Sequence, residues 1–190
     1  MSEFEVVPVT VGGRVADSSV FFHMTDPGKE LEIDYRLWLL RSGPQVMVVD
    51  TGPPLDESHQ RGITRIQDLG EVLRPHGLDA SDVDVVLLTH LHWDHAANAA
   101  KFPNATFFAQ KQEIEFFNNP LRQHQTFDRY YSHQDYLAGL IAEGRIKPYD
   151  GDTVIDKGIE AIRVGGHTPG SQMLIVDTAG RLQNKRELMD

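Results

Sequence analysis

The sequence predicts an α/β (α+β) fold, and three observations carry that expectation. Val83 to Leu88, apolar apart from Asp84 and bounded by Asp82 and Thr89, reads as a strand buried on both faces. Beyond it, Ala96 to Ala100 reads as a short helix, Ala105 to Ala109 as a strand and Lys111 to Phe117 as another helix, so the order is β-α-β-α. Third, 40% of the 190 residues are hydrophobic, enough for a substantial core, and residues 1–190 are read as a single domain.

From the N-terminus, Phe4 to Val11 mixes β-branched residues with a proline, as an edge strand does, and Gly12-Gly13 is expected to stop it before a long loop. Tyr35 to Leu40 and Gln45 to Val49 are β-rich runs on either side of Ser42-Gly43-Pro44, which makes an antiparallel hairpin the simplest arrangement. The second run ends in Asp50-Thr51-Gly52. Ile63, Ile66, Leu69, Val72 and Leu73 recur near helical spacing, so a helix is expected there, closed by Pro75 and Gly77. Residues 118–150 read as a helical insertion around one helix from Asp128 to Glu143, with Gly144 placed to end it. Thr153 to Ile155, Ile159 to Val164 and Gln172 to Val176 read as strands. The atypical tail 181–190 has only Leu182, Leu188 and Met189 to bury and is not expected to form a core strand.

Composition narrows the function. With 18 basic against 28 acidic side chains the formal charge is -10, which repels phosphate backbones and anionic membrane surfaces, so neither nucleic acid nor a membrane is an expected partner. There is no cysteine, so any metal must be held by imidazole and carboxylate. The acidic N-terminus and the lack of a run of about 20 apolar residues argue against a signal peptide or a membrane span, and a cytoplasmic location is expected.

The central chemical signal is His90-Leu91-His92-Trp93-Asp94-His95, directly after the buried run. Strand ends in α/β layers are where ligand-binding side chains converge. In an extended segment residues two apart point the same way, so His90 and His92 can aim at one ion while Asp94 and His95 face a second position. A second signal is Gly165-Gly166-His167-Thr168-Pro169-Gly170-Ser171, where the glycines and Pro169 can present His167 at a set place. On their own these residues also read as ordinary hydrogen-bonded histidines and a turn.

The Asp50-Thr51-Gly52 strand end, the His90 to His95 motif and the Gly-His-Thr-Pro-Gly-Ser turn, in this order, resemble the metallo-β-lactamase superfamily. The long loop before Tyr35, the wording His92-Trp93-Asp94-His95-Ala96 and the insertion after Phe117 are most similar to N-acyl homoserine lactone lactonases. The resemblance implies an αββα sandwich in which His90, His92 and His167 hold one metal and Asp94 and His95 contribute to another. Asp50 would sit behind them, fixing the tautomer of a ligand histidine; the alternative is an Asp that merely starts a turn. Zinc, one ion or two, is the default, and manganese or iron accept similar ligands.

The function implied is hydrolysis of a lactone or ester, with an N-acyl homoserine lactone preferred, by water activated at the metal and with Asp94 as the catalytic carboxylate. A glyoxalase II-like thioesterase, an RNA phosphodiesterase and an inactive truncated metal-binding domain are the alternatives, the acidic balance arguing against the phosphodiesterase. Phe116, Phe117, Phe127, Tyr130, Tyr131 and Tyr136 read first as core and second as an acyl pocket, whereas Trp93 is expected to touch substrate.

One part of the family pattern is not matched. A bridging aspartate and a further histidine would follow the His167 turn, but no histidine does and only Asp190 lies at a comparable distance. The sandwich is therefore expected to lack part of its second half, through truncation, an altered frame near residue 181 or completion by another chain, with a homodimer as one form of the last.

Overall fold

The computed structural model describes residues 4–22, 25–124, 129–131 and 134–178. Its first sheet has six strands in chain order: β1 (Glu5–Asp17), β2 (Glu30–Ser42), β3 (Gln45–Val49), β4 (Val85–Leu87), β5 (Thr106–Gln110) and β6 (Ile146–Tyr149). The first three form an antiparallel meander and the rest run parallel from β3 onward. A second, antiparallel sheet comprises β7 (Thr153–Asp156), β8 (Ile159–Arg163) and β9 (Gln172–Val176). The helices are α1 (Leu55–Ser58), α2 (Leu69–Leu73), α3 (Trp93–Ala96), α4 (Lys111–Phe117) and α5 (Gln134–Ala142).

Alternation along the strands explains the layering. On one face of the first sheet Val9, Leu37, Leu39, Val48 and Val86 are buried with Leu69, Val72 and Leu73 of α2, Phe117 of α4 and Leu137 and Leu140 of α5. On the other face Leu40, Met47, Val49 and Leu87 are buried against Ile159 of the second sheet. The central strand β4 thus sends Val86 to one core and Leu87 to the other, as its apolar run requires. Among the described residues no helix is long and apolar enough to cross a membrane.

Several elements differ from the sequence reading. β4 is shorter than expected and begins at Val85; the exposed Asp84 before it still pairs its backbone with Val46 and Thr106, and its carboxylate accepts the Val46 N–H at 3.0 Å. β1 continues through Gly12-Gly13, with its register shifting between Thr10 and Gly12. A Cβ at Gly12 would press on Ile63 and Ile66 at 3.1 and 3.2 Å, so the glycine admits a neighbouring segment rather than ending the strand. That segment is the one expected to start a helix at Ile63. Its Thr64 and Arg65 N–H groups both donate to the Gly13 carbonyl and Gln67 donates to Val11, so these amides are paired with β1 instead. The helix starts only at Leu69, where the Asp68 carboxylate accepts the Gly70 N–H.

The 118–150 insertion is not wholly helical. Ile146–Tyr149 adds β6 to the first sheet, a short strand whose Pro148 suits an edge and hid it from periodicity. The described part of the insertion helix is α5; its expected start at Asp128 lies outside the described residues, as do the tail 181–190 and Asp190. α3 starts at Trp93, inside the histidine motif, and not at Ala96.

Leu37 is fully buried beneath the helical layer. Leu37→Ala is expected to lower stability by about 2–5 kcal/mol, read as a shift in the urea unfolding midpoint.

Candidate metal centre

The centre is assembled where β3 and β4 end. Past Leu87 the chain leaves the sheet, and His92 takes an extended conformation at the start of α3, its carbonyl accepting from the His95 and Ala96 N–H groups. This turn puts Asp94 and His95 in the first helical turn while His90 and His92 remain buried at 6% and 7% exposure. His167 arrives from the β8–β9 turn, where Gly165 and Gly166 have φ of 61° and 89°, the left-handed region that favours glycine. The turn is closed by the Val164 and Gly165 N–H groups donating to the Ser171 carbonyl.

Three rings converge. The centroids of His90 and His92 are 4.6 Å apart, His90 and His167 4.9 Å, and His92 and His167 4.6 Å. One nitrogen from each lies within 4.8 Å of the other two. His95 adjoins the group, its ring 4.0 Å from that of His90, and its Nε2 is 3.6 Å from the Asp94 carboxylate.

Electrostatics divide the four histidines. Burial, helped by the neighbouring imidazoles, pushes His90 far below its ordinary range and His92 down to about 3, so both are neutral near pH 7. Burial opposes charge on His95 too, but the Asp50 and Asp94 carboxylates outweigh it and lift the ring to about 9. The Nε2 of His90 is buried and has no hydrogen-bond partner among the described residues. A buried unpaired ring nitrogen costs about 1–3 kcal/mol, and a cation held by the three imidazoles would remove that cost. The donor set of neutral imidazoles with a carboxylate nearby fits zinc, manganese or iron.

Two carboxylates hold the loops. Asp50, 5% exposed with φ of 60°, accepts the Thr89 N–H at 2.8 Å and the Thr89 hydroxyl, and contacts His95 Nδ1 at 2.7 Å. Its neighbour Thr51 donates from both N–H and hydroxyl to the His95 carbonyl. Asp50 is therefore more than the start of a turn. The other carboxylate, Glu113 of α4, escaped the sequence reading. It is 1% exposed and accepts the Leu91 N–H at 3.0 Å, the Thr168 hydroxyl at 2.6 Å and the Gly170 N–H at 3.0 Å, joining both histidine loops. The available signal was its place four residues before Phe117, on the face of α4 that is buried. Gly170 is required beside it, since a Cβ there would strike the Glu113 backbone.

A cavity of about 740 Å³ opens over the centre, lined by His92, Trp93, Asp94 and His167. Phe116 of α4 and Tyr130 and Tyr131 of the insertion line it too, Tyr131 being also a member of the core, whereas Phe117 belongs to the core and Tyr136 packs against it. Phe127 lies outside the described residues. The Tyr130 ring stacks on His92 at 5.1 Å, and Trp93 carries the Arg61 guanidinium 4.3 Å above its ring.

This fold and this convergence define a histidine-rich centre at the strand ends of a two-sheet sandwich. The profile of the metallo-beta-lactamase superfamily matches residues 37–181, and the chain belongs to that superfamily. Among curated relatives, an N-acyl homoserine lactonase of Bacillus sp is 25% identical over 185 residues, 90% of this chain and 69% of its own length. The N-acyl homoserine lactonase AttM of Rhizobium radiobacter is 30% identical over 196 residues, 93% of this chain and 66% of its own. A solved N-acyl homoserine lactone hydrolase, with the product N-hexanoyl-L-homoserine at its catalytic metal center, shares the fold at a TM-score of 0.77 and 23% identity, over 94% of this chain and 72% of that one.

Glu113→Ala removes the acceptor of the Leu91 and Gly170 N–H groups and one of the two partners of the Thr168 hydroxyl. It is expected to cost about 2–4 kcal/mol of stability and to lower metal content, measured by urea denaturation and elemental analysis. The metal-free protein is expected to show a two-sided pH dependence of stability. His92 takes up a proton near 6.5 when unfolded but only near 3 when folded, so its neutral burial costs stability as pH falls below about 6.5. His95 is raised, so its pairing with Asp50 stabilises fully below about 6.5 and is lost as pH rises through about 9. Unfolding midpoints should fall on both sides of roughly pH 6.5, and Asp50→Asn, which removes the main group raising His95, should shrink the alkaline limb.

Proposed function

We propose that this protein is a metal-dependent hydrolase that opens a lactone ring, with N-acyl homoserine lactones as its substrate class. The observation that carries the proposal is the meeting of His90, His92 and His167 beneath an aromatic-lined cavity, with Asp94 and His95 beside them. The lactonase names of the curated relatives support the choice of substrate. His90, His92 and His167 would hold one metal ion, and Asp94 and His95 would contribute to a second. A bound metal supplies Lewis acidity, polarising the ester carbonyl and making water acidic enough to attack near pH 7.

The chain's own groups complete the reaction. Asp94, partly exposed at the cavity floor, orients the attacking water by accepting its hydrogen bond and takes its proton. As the ring C–O bond breaks, the same carboxyl returns that proton to the leaving alkoxide, and the product is a hydroxy acid. Asp50 accepts from His95 Nδ1, which leaves Nε2 directed to the Asp94 side. Phe116, Tyr130 and Tyr131 exclude water and give the acyl arm an apolar wall.

His92→Ala is expected to abolish lactone hydrolysis and to lower bound metal; retention of both would overturn the proposal. Asp94→Asn should lower kcat by about 10²–10⁴ while the three-histidine metal remains bound. A panel of lactone, thioester and phosphodiester substrates assigns the class, and turnover confined to thioesters would replace lactones by thioesters as the substrate.

A further inference from the structure

One charged group in the cavity wall has no part in the chemistry above. Arg14 lies on β1 just past the register shift between Thr10 and Gly12, and it lines the same cavity as Asp94, His92 and His167. Its Nη1 donates to the Arg61 carbonyl at 2.9 Å and its guanidinium lies 5.2 Å from the Phe21 ring centroid. Its Nε is buried without a hydrogen-bond partner. Burial raises the Tyr35 hydroxyl and the Asp94 charge adds to this, whereas Arg14 lowers it through its charge and a side-chain hydrogen bond, and all three residues line the same cavity.

The contrast with its neighbour is informative. Arg61 forms a 2.9 Å ion pair with Glu57, whereas Arg14 forms no ion pair among the described residues, in a chain of net charge -10. A guanidinium half-buried against aromatic rings loses hydration, and nothing in the described protein returns it as a carboxylate would. Its planar fork matches an anionic oxygen pair.

We propose that Arg14 is a specificity-determining residue that receives an anionic group on the substrate's arm, so that the preferred substrates are lactones whose acyl arm ends in a carboxylate. This rests on the lactone reading of the metal centre. The arm runs from the histidines along Trp93 and Tyr35, and its terminal carboxylate supplies the anionic partner that Arg14 lacks among the described residues.

The test compares N-succinyl homoserine lactone with its neutral shape analogue, N-(4-methylpentanoyl) homoserine lactone, on the metal-loaded protein. The wild type is expected to show a KM for the succinyl compound about tenfold or more below that of the analogue, the weight of one charge-assisted hydrogen bond. Arg14→Met should erase that preference by raising KM for the succinyl lactone alone with kcat kept, and Arg14→Lys should retain part of it. No preference in the wild type, or an equal KM change on both substrates, would overturn the proposal. Should neither lactone be hydrolysed, the lactone reading fails by itself. Calorimetric binding of ring-opened N-succinyl homoserine then still decides Arg14: a drop of about tenfold or more in R14M, with R14K intermediate, supports it, and equal affinity rejects it. A melting curve for each variant separates these outcomes from loss of fold, with Arg14→Lys standing in if Arg14→Met does not fold.

Discussion

Neutral imidazoles from two distant loops meet where buried carboxylates hold those loops together. Glu113 spends one oxygen on the Leu91 N–H and the other on Thr168 and Gly170, tying the His90–His92 segment to the His167 turn, and Gln172 ties the same two segments through Leu88 and Thr89. Asp50 holds the opposite side through Thr89 and His95. Each carboxylate is buried, and each is tolerated because donors surround it. The polar contacts are directional where apolar packing is not, which is why ring nitrogens can be brought within 4.8 Å of one another from residues more than seventy positions apart.

The same arrangement sorts the histidines by charge. His90 and His92 are buried among other imidazoles and stay neutral, the form in which imidazole offers a lone pair, while His95 faces two carboxylates that favour its protonated form. The cavity continues this gradient outward. Next to the centre its wall is aromatic, with Tyr130 on the His92 ring, and further along it ends at a guanidinium that lacks a carboxylate partner among the described residues. A substrate with an electrophilic carbonyl at one end and a negative charge at the other complements both.

How much was legible depends on how far along the chain each cause lies. The hairpin of β2 and β3, the exact span of α4 and the strands β5 and β9 follow from local alternation and turn chemistry. The helix expected from Ile63 did not form before Leu69, because a neighbouring strand offered its amides better partners than a helical turn would. β6 went unread because four residues with a proline carry no period of their own, and its strand character comes from pairing with β5. The aromatic residues of α4 and the insertion are shared between core and cavity, with Tyr131 in both, an outcome that spacing alone leaves open.

By itself the sequence determined the layered α/β class, the absence of thiolate ligands and the identities of the clustered histidines and carboxylates, since residue type and short-range spacing are properties of the chain. Only the tertiary structure decided that His167 joins His90 and His92, that Glu113 lies between their loops and that Arg14 faces the cavity without a carboxylate partner among the described residues. These are relations between segments that loop closure brings together, and their energies come from hydrogen bonds and lost hydration that exist only once the chain has folded.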